Sequence, residues 1–133
     1  LNPANEETGK LFIISFEKLE AARWVSYLKK GGKIIMSTQE IDPMPVITGA
    51  TDYPSDLESK IKAMDINLDA FDALSLAEQA GNSKAVNIVL LGRLSKQFDF
   101  TEEEWMTAIE QSVPVKFLEL NKKAFLLGRD YGV

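Results

Sequence analysis

The apolar positions of this chain change their period several times, and each change marks an element. Leu11-Phe12-Ile13-Ile14-Ser15-Phe16 is a continuous apolar run of strand length. Glu17 to Lys30 then follows at helical spacing, with Ala21, Trp24, Val25 and Leu28 at i, i+3, i+4 and i+7 on one inward face. Gly31-Gly32 breaks that period, and Lys33-Ile34-Ile35-Met36-Ser37 is a second strand. Strand, helix, glycine stop and strand make a βαβ unit, whose crossover is right-handed and whose strands are parallel. Runs apolar on both pleats suit a sheet covered on both faces. The pattern thus predicts a three-layer α/β/α fold around a mainly parallel sheet. Lys29 and Lys30 fall in the last turn of the expected helix, where cations suit its dipole, and Gly31 supplies the stop. A phosphate cradle is the lesser reading of this cluster, because glycines at a helix C-terminus sit at the wrong end for an anion.

Residues 1 to 9 carry no period and read as a loose lead-in. Thr38 to Pro54 reads as a loop, which Pro43 and Pro45 hold extended and out of helix. Its apolar members Ile41, Met44, Val46 and Ile47 are too many for a solvated loop and should pack on the domain or on a partner. At about 16 residues it exceeds the usual connection, which points to a role in function. Pro54 suits the first position of a short helix with Leu57, Ile61 and Met64 on one face, and Asp65 to Asp72 alternates as a strand. Leu74 to Ala80 is a short helix closed by Gly81.

Asn82 to Phe98 is the most hydrophobic helix, capped by Asn82 or Ser83 and apolar around most of its circumference. Gly92 inside it predicts the close approach of another backbone. Thr101 and Glu104 form a capping box, with Phe100 and Trp105 at the staple positions. Pro114 ends that helix. Lys116 to Leu127 gives a last one, with Phe117, Leu120, Ala124 and Leu127 inward and Gly128 as its stop.

A chain of 133 residues is expected to form one domain, residues 1–133. Its formal net charge of −5 argues against a nucleic-acid or anionic-membrane surface. Cysteine and histidine are both absent, which removes within these residues the common zinc sites, Ser-His and Cys-His triads and cysteine-held iron–sulfur clusters. No run reaches the roughly 18 apolar residues of a membrane span, and the polar, acidic start is wrong for a signal peptide. Cytoplasmic location is the expectation. The start also lacks an initiator Met, so the chain reads as trimmed or as a piece of something longer.

Three constellations could carry chemistry. The carboxylate pairs Asp52 with Asp56 and Asp69 with Asp72 lack any local feature that would separate their pKa values, so they read as solvated loop and strand-end groups. Gly81-Asn82-Ser83-Lys84 stands at the mouth of the apolar helix, where free N–H groups and Lys84 could hold a phosphate or carboxylate. Capping alone also explains Asn82 and Ser83. Asn87, polar among apolar neighbours, is expected to be buried and to need partners in backbone, water or ligand. Asn82, Ser83, Lys84 and Asn87 are therefore the candidate cofactor-binding residues. Lys116 to Lys123 mixes aliphatic, aromatic and basic side chains, as a subunit interface or an ordinary amphipathic helix would. No catalytic or metal-ligating residue emerges, and GxGxxG and GxxxxGK[ST] fingerprints are absent.

Several phrases taken in order carry a family resemblance. They are Ile14-Ser15-Phe16-Glu17-Lys18-Leu19-Glu20-Ala21, Tyr27-Leu28-Lys29-Lys30-Gly31-Gly32 and Gln39-Glu40-Ile41-Asp42-Pro43-Met44-Pro45-Val46. Ala80-Gly81-Asn82-Ser83-Lys84-Ala85-Val86-Asn87, Leu90-Leu91-Gly92 and Val113-Pro114-Val115-Lys116-Phe117-Leu118-Glu119-Leu120-Asn121 complete the set. Together they resemble the gamma-type domain family of 2-oxoacid:ferredoxin oxidoreductases, in its indolepyruvate-type small-subunit (beta) branch. The resemblance implies a Rossmann-like domain that is a non-catalytic, accessory subunit and binds no cofactor itself. Thiamine diphosphate and iron–sulfur clusters are then expected in a large catalytic partner subunit, with CoA as co-substrate and ferredoxin reached through the complex. The implied reaction is oxidative decarboxylation of an aryl pyruvate to an acyl-CoA.

The family's opening strand and GxGGQG turn have no counterpart here. The chain looks like the C-terminal two-thirds of the domain, with the N-terminal βα units missing and an open sheet edge. Beside the subunit reading stand two others: a nucleotide- or CoA-binding module built on Gly81 to Lys84, and a structural interaction domain built on the apolar loop and the last helix.

Overall fold

The structure, a computed structural model, describes residues 10–64 and 66–132. The lead-in over residues 1 to 9 and the strand assignment at Asp65 lie outside the described residues. The chain divides into two compact units between Phe71 and Asp72. The fold class is α/β, as the hydrophobic pattern predicts.

The first unit is built on a parallel three-stranded sheet in the order β1-β2-β3. Its strands are β1 (Lys10–Ser15), β2 (Leu28–Ser37) and β3 (Asn67–Phe71). Ile13 pairs with Ile34 and Ile14 with Ile35, while Ile34 pairs with Leu68. In the central strand, β2, Ile34, Ile35 and Met36 are fully buried. Helix α1 (Lys18–Trp24) sets Ala21 and Ala22 into a core with Val25, Leu28 and Ile34, and α3 (Leu57–Lys62) adds Leu57 and Ile61.

Three features of this unit depart from the linear pattern. The first helix stops at Trp24, a single 3-10 turn covers Val25–Tyr27, and strand begins at Leu28. Sheet pairing overrides helical periodicity here. Lys10 is opposite Leu28 while Phe12 is opposite Lys33, so residues 29–32 form a bulge in β2, with Gly31 at φ +77°. The glycines serve a strand irregularity, not a helix stop, and Lys29 and Lys30 are not in a helix. Shortening the helix also leaves Trp24 outside the buried face, 49% exposed.

Second, the long loop contains a one-turn helix, α2 (Met44–Ile47), despite its prolines. Pro45 falls in the first turn, where a missing N–H costs nothing, and Pro43 precedes it in extended conformation. Third, α3 starts at Leu57, with Asp56 before it at φ 59° and making no side-chain capping bond, so Pro54 is not its first residue.

The second unit is helical. It comprises α4 (Ala73–Ala80), α5 (Val86–Ser95), α6 (Glu102–Ser112) and α7 (Leu118–Asp130). Asp72 caps α4, accepting from Ser75 N at 3.0 Å and Ser75 Oγ at 2.6 Å, and those bonds hold its carboxyl below the usual range. The capping box at α6 forms as expected, with both Thr101–Glu104 bonds at 3.1 Å. Phe100 and Trp105 meet edge to face at 5.9 Å between ring centroids.

α5 and α7 pack backbone to backbone, and two glycines allow it. A side chain at Gly92 would collide with the Phe125 carbonyl, and one at Gly128 with the Val89 carbonyl. Gly128 is thus interior to α7, which runs on to Asp130, rather than its stop. Ser95 is fully buried between them, donating to Gly92 O at 2.5 Å and accepting from Arg129 Nη1 at 2.7 Å.

Candidate functional site

Ligands of open parallel sheets gather at the carboxyl ends of the strands. In the first unit that end is organised by Glu17, two residues past β1 and 6% exposed. Its Oε1 accepts the Glu20 N–H at 2.9 Å, capping α1, and its Oε2 accepts the Ile41 N–H at 3.2 Å and the Tyr53 hydroxyl. Tyr53 in turn accepts the Leu19 N–H at 3.2 Å. Burial first, and then the bond to Glu17, push the Tyr53 phenol well above its ordinary pKa. With both oxygens engaged, Glu17 acts as a clamp joining the start of α1 to both ends of the long loop. Nearby, Lys18 pairs with Glu40 at 3.3 Å, and the Lys18 N–H donates to Gln39 O. At the end of β2 the Ser37 hydroxyl is buried with no hydrogen-bond partner among the described residues.

Outside this clamp runs an apolar groove of about 530 Å³, formed by Leu19, Trp24, Tyr27, Ile41 and Pro43 with Glu17, Glu20 and Arg23. A second hollow of about 330 Å³ shares Glu20, Trp24 and Tyr27 with it and reaches Ile13 and Ile14 of β1. Trp24 and Tyr27 lie 5.1 Å apart between ring centroids. Of the two expectations for the loop's apolar residues, packing on the domain does not hold for Ile41, Met44 and Ile47, which are 55%, 67% and 66% exposed.

The second unit holds a larger cavity, about 930 Å³, floored by Leu76, Leu120, Leu126, Leu127 and Met106. Gly81, Asn82, Glu119, Lys122, Lys123 and Asp130 edge it. Two of the sequence candidates, the glycine mouth and the Lys116–Lys123 segment, therefore meet here. Of the four candidate cofactor-binding residues only Asn82 borders it. Asn82 uses its side-chain oxygen to cap a 3-10 turn at Ser83–Ala85, accepting the Lys84 N–H at 2.9 Å. Ser83 and Lys84 are exposed on that turn, ahead of α5. Asn87 is exposed rather than buried, because the extra 3-10 turn rotates the helix start and puts Val86, Val89 and Leu90 inward instead. Lys122 is paired with Glu110 at 2.6 Å, which raises its pKa. No group of three His, Cys, Asp or Glu side chains that could hold a metal exists among the described residues. No described helix is long and apolar enough to cross a membrane.

Sequence reasoning passed over Glu17, Tyr53 and the exposure of Trp24. A Glu directly after an apolar strand and before a helix start was the available signal for the clamp. The partner tyrosine, 36 residues away, carries none.

Comparison with known proteins covers nearly the whole chain. A family model described as pyruvate ferredoxin/flavodoxin oxidoreductase matches residues 6–131. The chain is 42% identical to indolepyruvate oxidoreductase subunit IorB of Thermococcus kodakarensis over 121 residues, 87% of this chain and 60% of that protein. It is likewise 42% identical to the subunit of the same name from Pyrococcus horikoshii over 122 residues, again 87% and 60%. It therefore spans about three-fifths of the length of these relatives. Among solved structures, the gamma subunit of a keto/oxoacid ferredoxin oxidoreductase from Geobacter sulfurreducens shares the fold, with a TM-score of 0.68 at 22% identity over 92% of this chain and 62% of that one.

Proposed function

Since the chain belongs to the pyruvate ferredoxin/flavodoxin oxidoreductase family, we propose that it is an accessory, non-catalytic subunit of an indolepyruvate-type 2-oxoacid:ferredoxin oxidoreductase. The observation that carries this is the 42% identity to two IorB subunits across 87% of the chain. The whole enzyme would take an aryl pyruvate, CoA and two oxidised ferredoxins to an acyl-CoA, CO₂, two reduced ferredoxins and a proton. Iron–sulfur clusters are held by cysteine thiolates, and these 133 residues contain no cysteine. The donor set of these residues does not fit such a cluster, so none is placed on them. Thiamine diphosphate and the clusters are assigned to a large partner subunit, and the complex to the cytoplasm. What this chain contributes is surface.

The test is co-expression of the full-length chain with the large subunit, followed by purification through a tag on the small one. A brown, thiamine-containing complex that reduces ferredoxin only with indolepyruvate and CoA is the expected result. A large subunit that is equally active and stable alone would refute the proposal.

A second reading has one observation in its favour. The cavity edged by Asn82 and Lys123 is of a size that takes small molecules. If it is a nucleotide or CoA site, calorimetry should detect CoA binding to the small subunit by itself, and Asn82→Ala with Lys123→Ala should abolish it.

A further inference from the structure

Resting on the subunit reading, we infer that the Trp24–Tyr27–Ile41 groove is the face on which the large subunit docks, and that the docking surface is an apolar projection rimmed by basic residues. Three observations converge on it. First, the groove is continuous through Glu20, Trp24 and Tyr27, and its large side chains stay open: Tyr27 and Ile41 are each 55% exposed. Trp, Tyr and Arg are the residue types that concentrate binding energy at protein interfaces, and Arg23 stands beside the pair.

Second, the groove is held in shape before anything binds. Glu17 bonds the Ile41 backbone, Tyr53 and the first turn of α1 at once, so its walls come from α1 and from a loop tied to it by hydrogen bonds. A surface ordered in advance loses little entropy on association. A simple solvated loop would need no buried carboxylate at its root.

Third, the loop that supplies Ile41 and Pro43 carries charge of one sign. Residues 38–56 carry Glu40, Asp42, Asp52 and Asp56 and no lysine or arginine. On the α1 side Glu20 and Arg23 both line the groove, and Lys18 pairs with Glu40. An acidic rim selects a basic counterpart and speeds its approach.

The test uses the full-length chain and the large subunit, purified separately, with the dissociation constant measured at low and at high salt. Trp24→Ser and Ile41→Ser should each weaken binding by about 30-fold at either salt. Asp42→Lys should weaken it about 5-fold at low salt and much less at high salt. All three sites are exposed, and circular dichroism would verify that each variant remains folded. Phe117→Ser, a similarly exposed aromatic of the helical unit, should bind as wild type. A tight wild-type complex that none of the three groove variants disturbs would overturn the inference and leave the subunit reading intact. Absence of any wild-type complex would remove both. Trp24-dependent self-association of the small subunit, seen by sedimentation, would give the groove to a second copy and overturn the inference too.

Discussion

In the helical unit two backbones touch. Gly92 faces the Phe125 carbonyl and Gly128 faces the Val89 carbonyl, and the helices close on each other with no side chain between them at those points. Around Gly31 and Gly49 of the sheet unit there is open space instead, and a polar clamp does the organising. Glu17 and Tyr53 tie strand end, helix start and loop together, while large apolar side chains remain outside. The helical unit directs its tightest contacts inward. The sheet unit uses a buried carboxylate to present an apolar surface. The contrast suggests a division between a part built for rigidity and a part built for presentation.

The severest way to break this contrast is Gly92→Val. It drives a branched side chain into the Phe125 backbone, which cannot yield as a flexible side chain can. A loss of about 3 kcal/mol or more is expected in urea denaturation followed by circular dichroism. Gly31→Ala provides the sharpening control, because open space surrounds that position and only the left-handed φ is strained, at a cost of about 1 kcal/mol.

Next in size is Glu17→Ala, which leaves the Ile41 and Glu20 N–H groups and the Tyr53 hydroxyl without their acceptor. It should cost about 2 kcal/mol. Amide exchange at Ile41 should accelerate, while exchange in α5 stays as it was. Equal acceleration in both units would mean that the clamp does not act locally. Tyr53→Phe removes one of those bonds and should cost about 1 kcal/mol.

Thr101→Ala deletes half of the capping box and should cost about 1 kcal/mol, read as fraying at the start of α6 and a lowered thermal midpoint.

The smallest effect is a pH dependence. The folded state raises the Tyr53 pKa, so it holds that proton more tightly than the unfolded chain does. Stability from this group is whole below the ordinary tyrosine pKa of about 10 and declines as pH rises past it. Wild type should therefore lose stability faster than Tyr53→Phe between pH 10 and 11. Parallel decline of the two would show that the phenol contributes nothing there.

Much of the fold is legible in the linear chain, and the reason is distance along it. The Thr101–Glu104 box, the stop at Gly81 and the strand over Leu11–Ser15 each depend on neighbours within a turn or a pleat. The close approach at Gly92 could be anticipated because a glycine inside an apolar helix weakens it unless another backbone needs the room. The family, too, was readable from the ordered phrases, since they preserve local sequence.

Tertiary structure alone decided the rest. Pairing of β2 with β1 turned Leu28, Lys29 and Lys30 from helix to strand, because a sheet ladder formed across 18 residues outweighs a local preference. That change left Trp24 exposed and opened the groove. Glu17 met Tyr53 only once the loop had folded back, and Asn82 came to share a cavity with Lys123 only through the packing of α4 with α7. Composition determined what this chain does not carry, cysteine and histidine. The chain's topology determined which surfaces it offers, because a surface is made by residues far apart in sequence, whose approach no local pattern encodes.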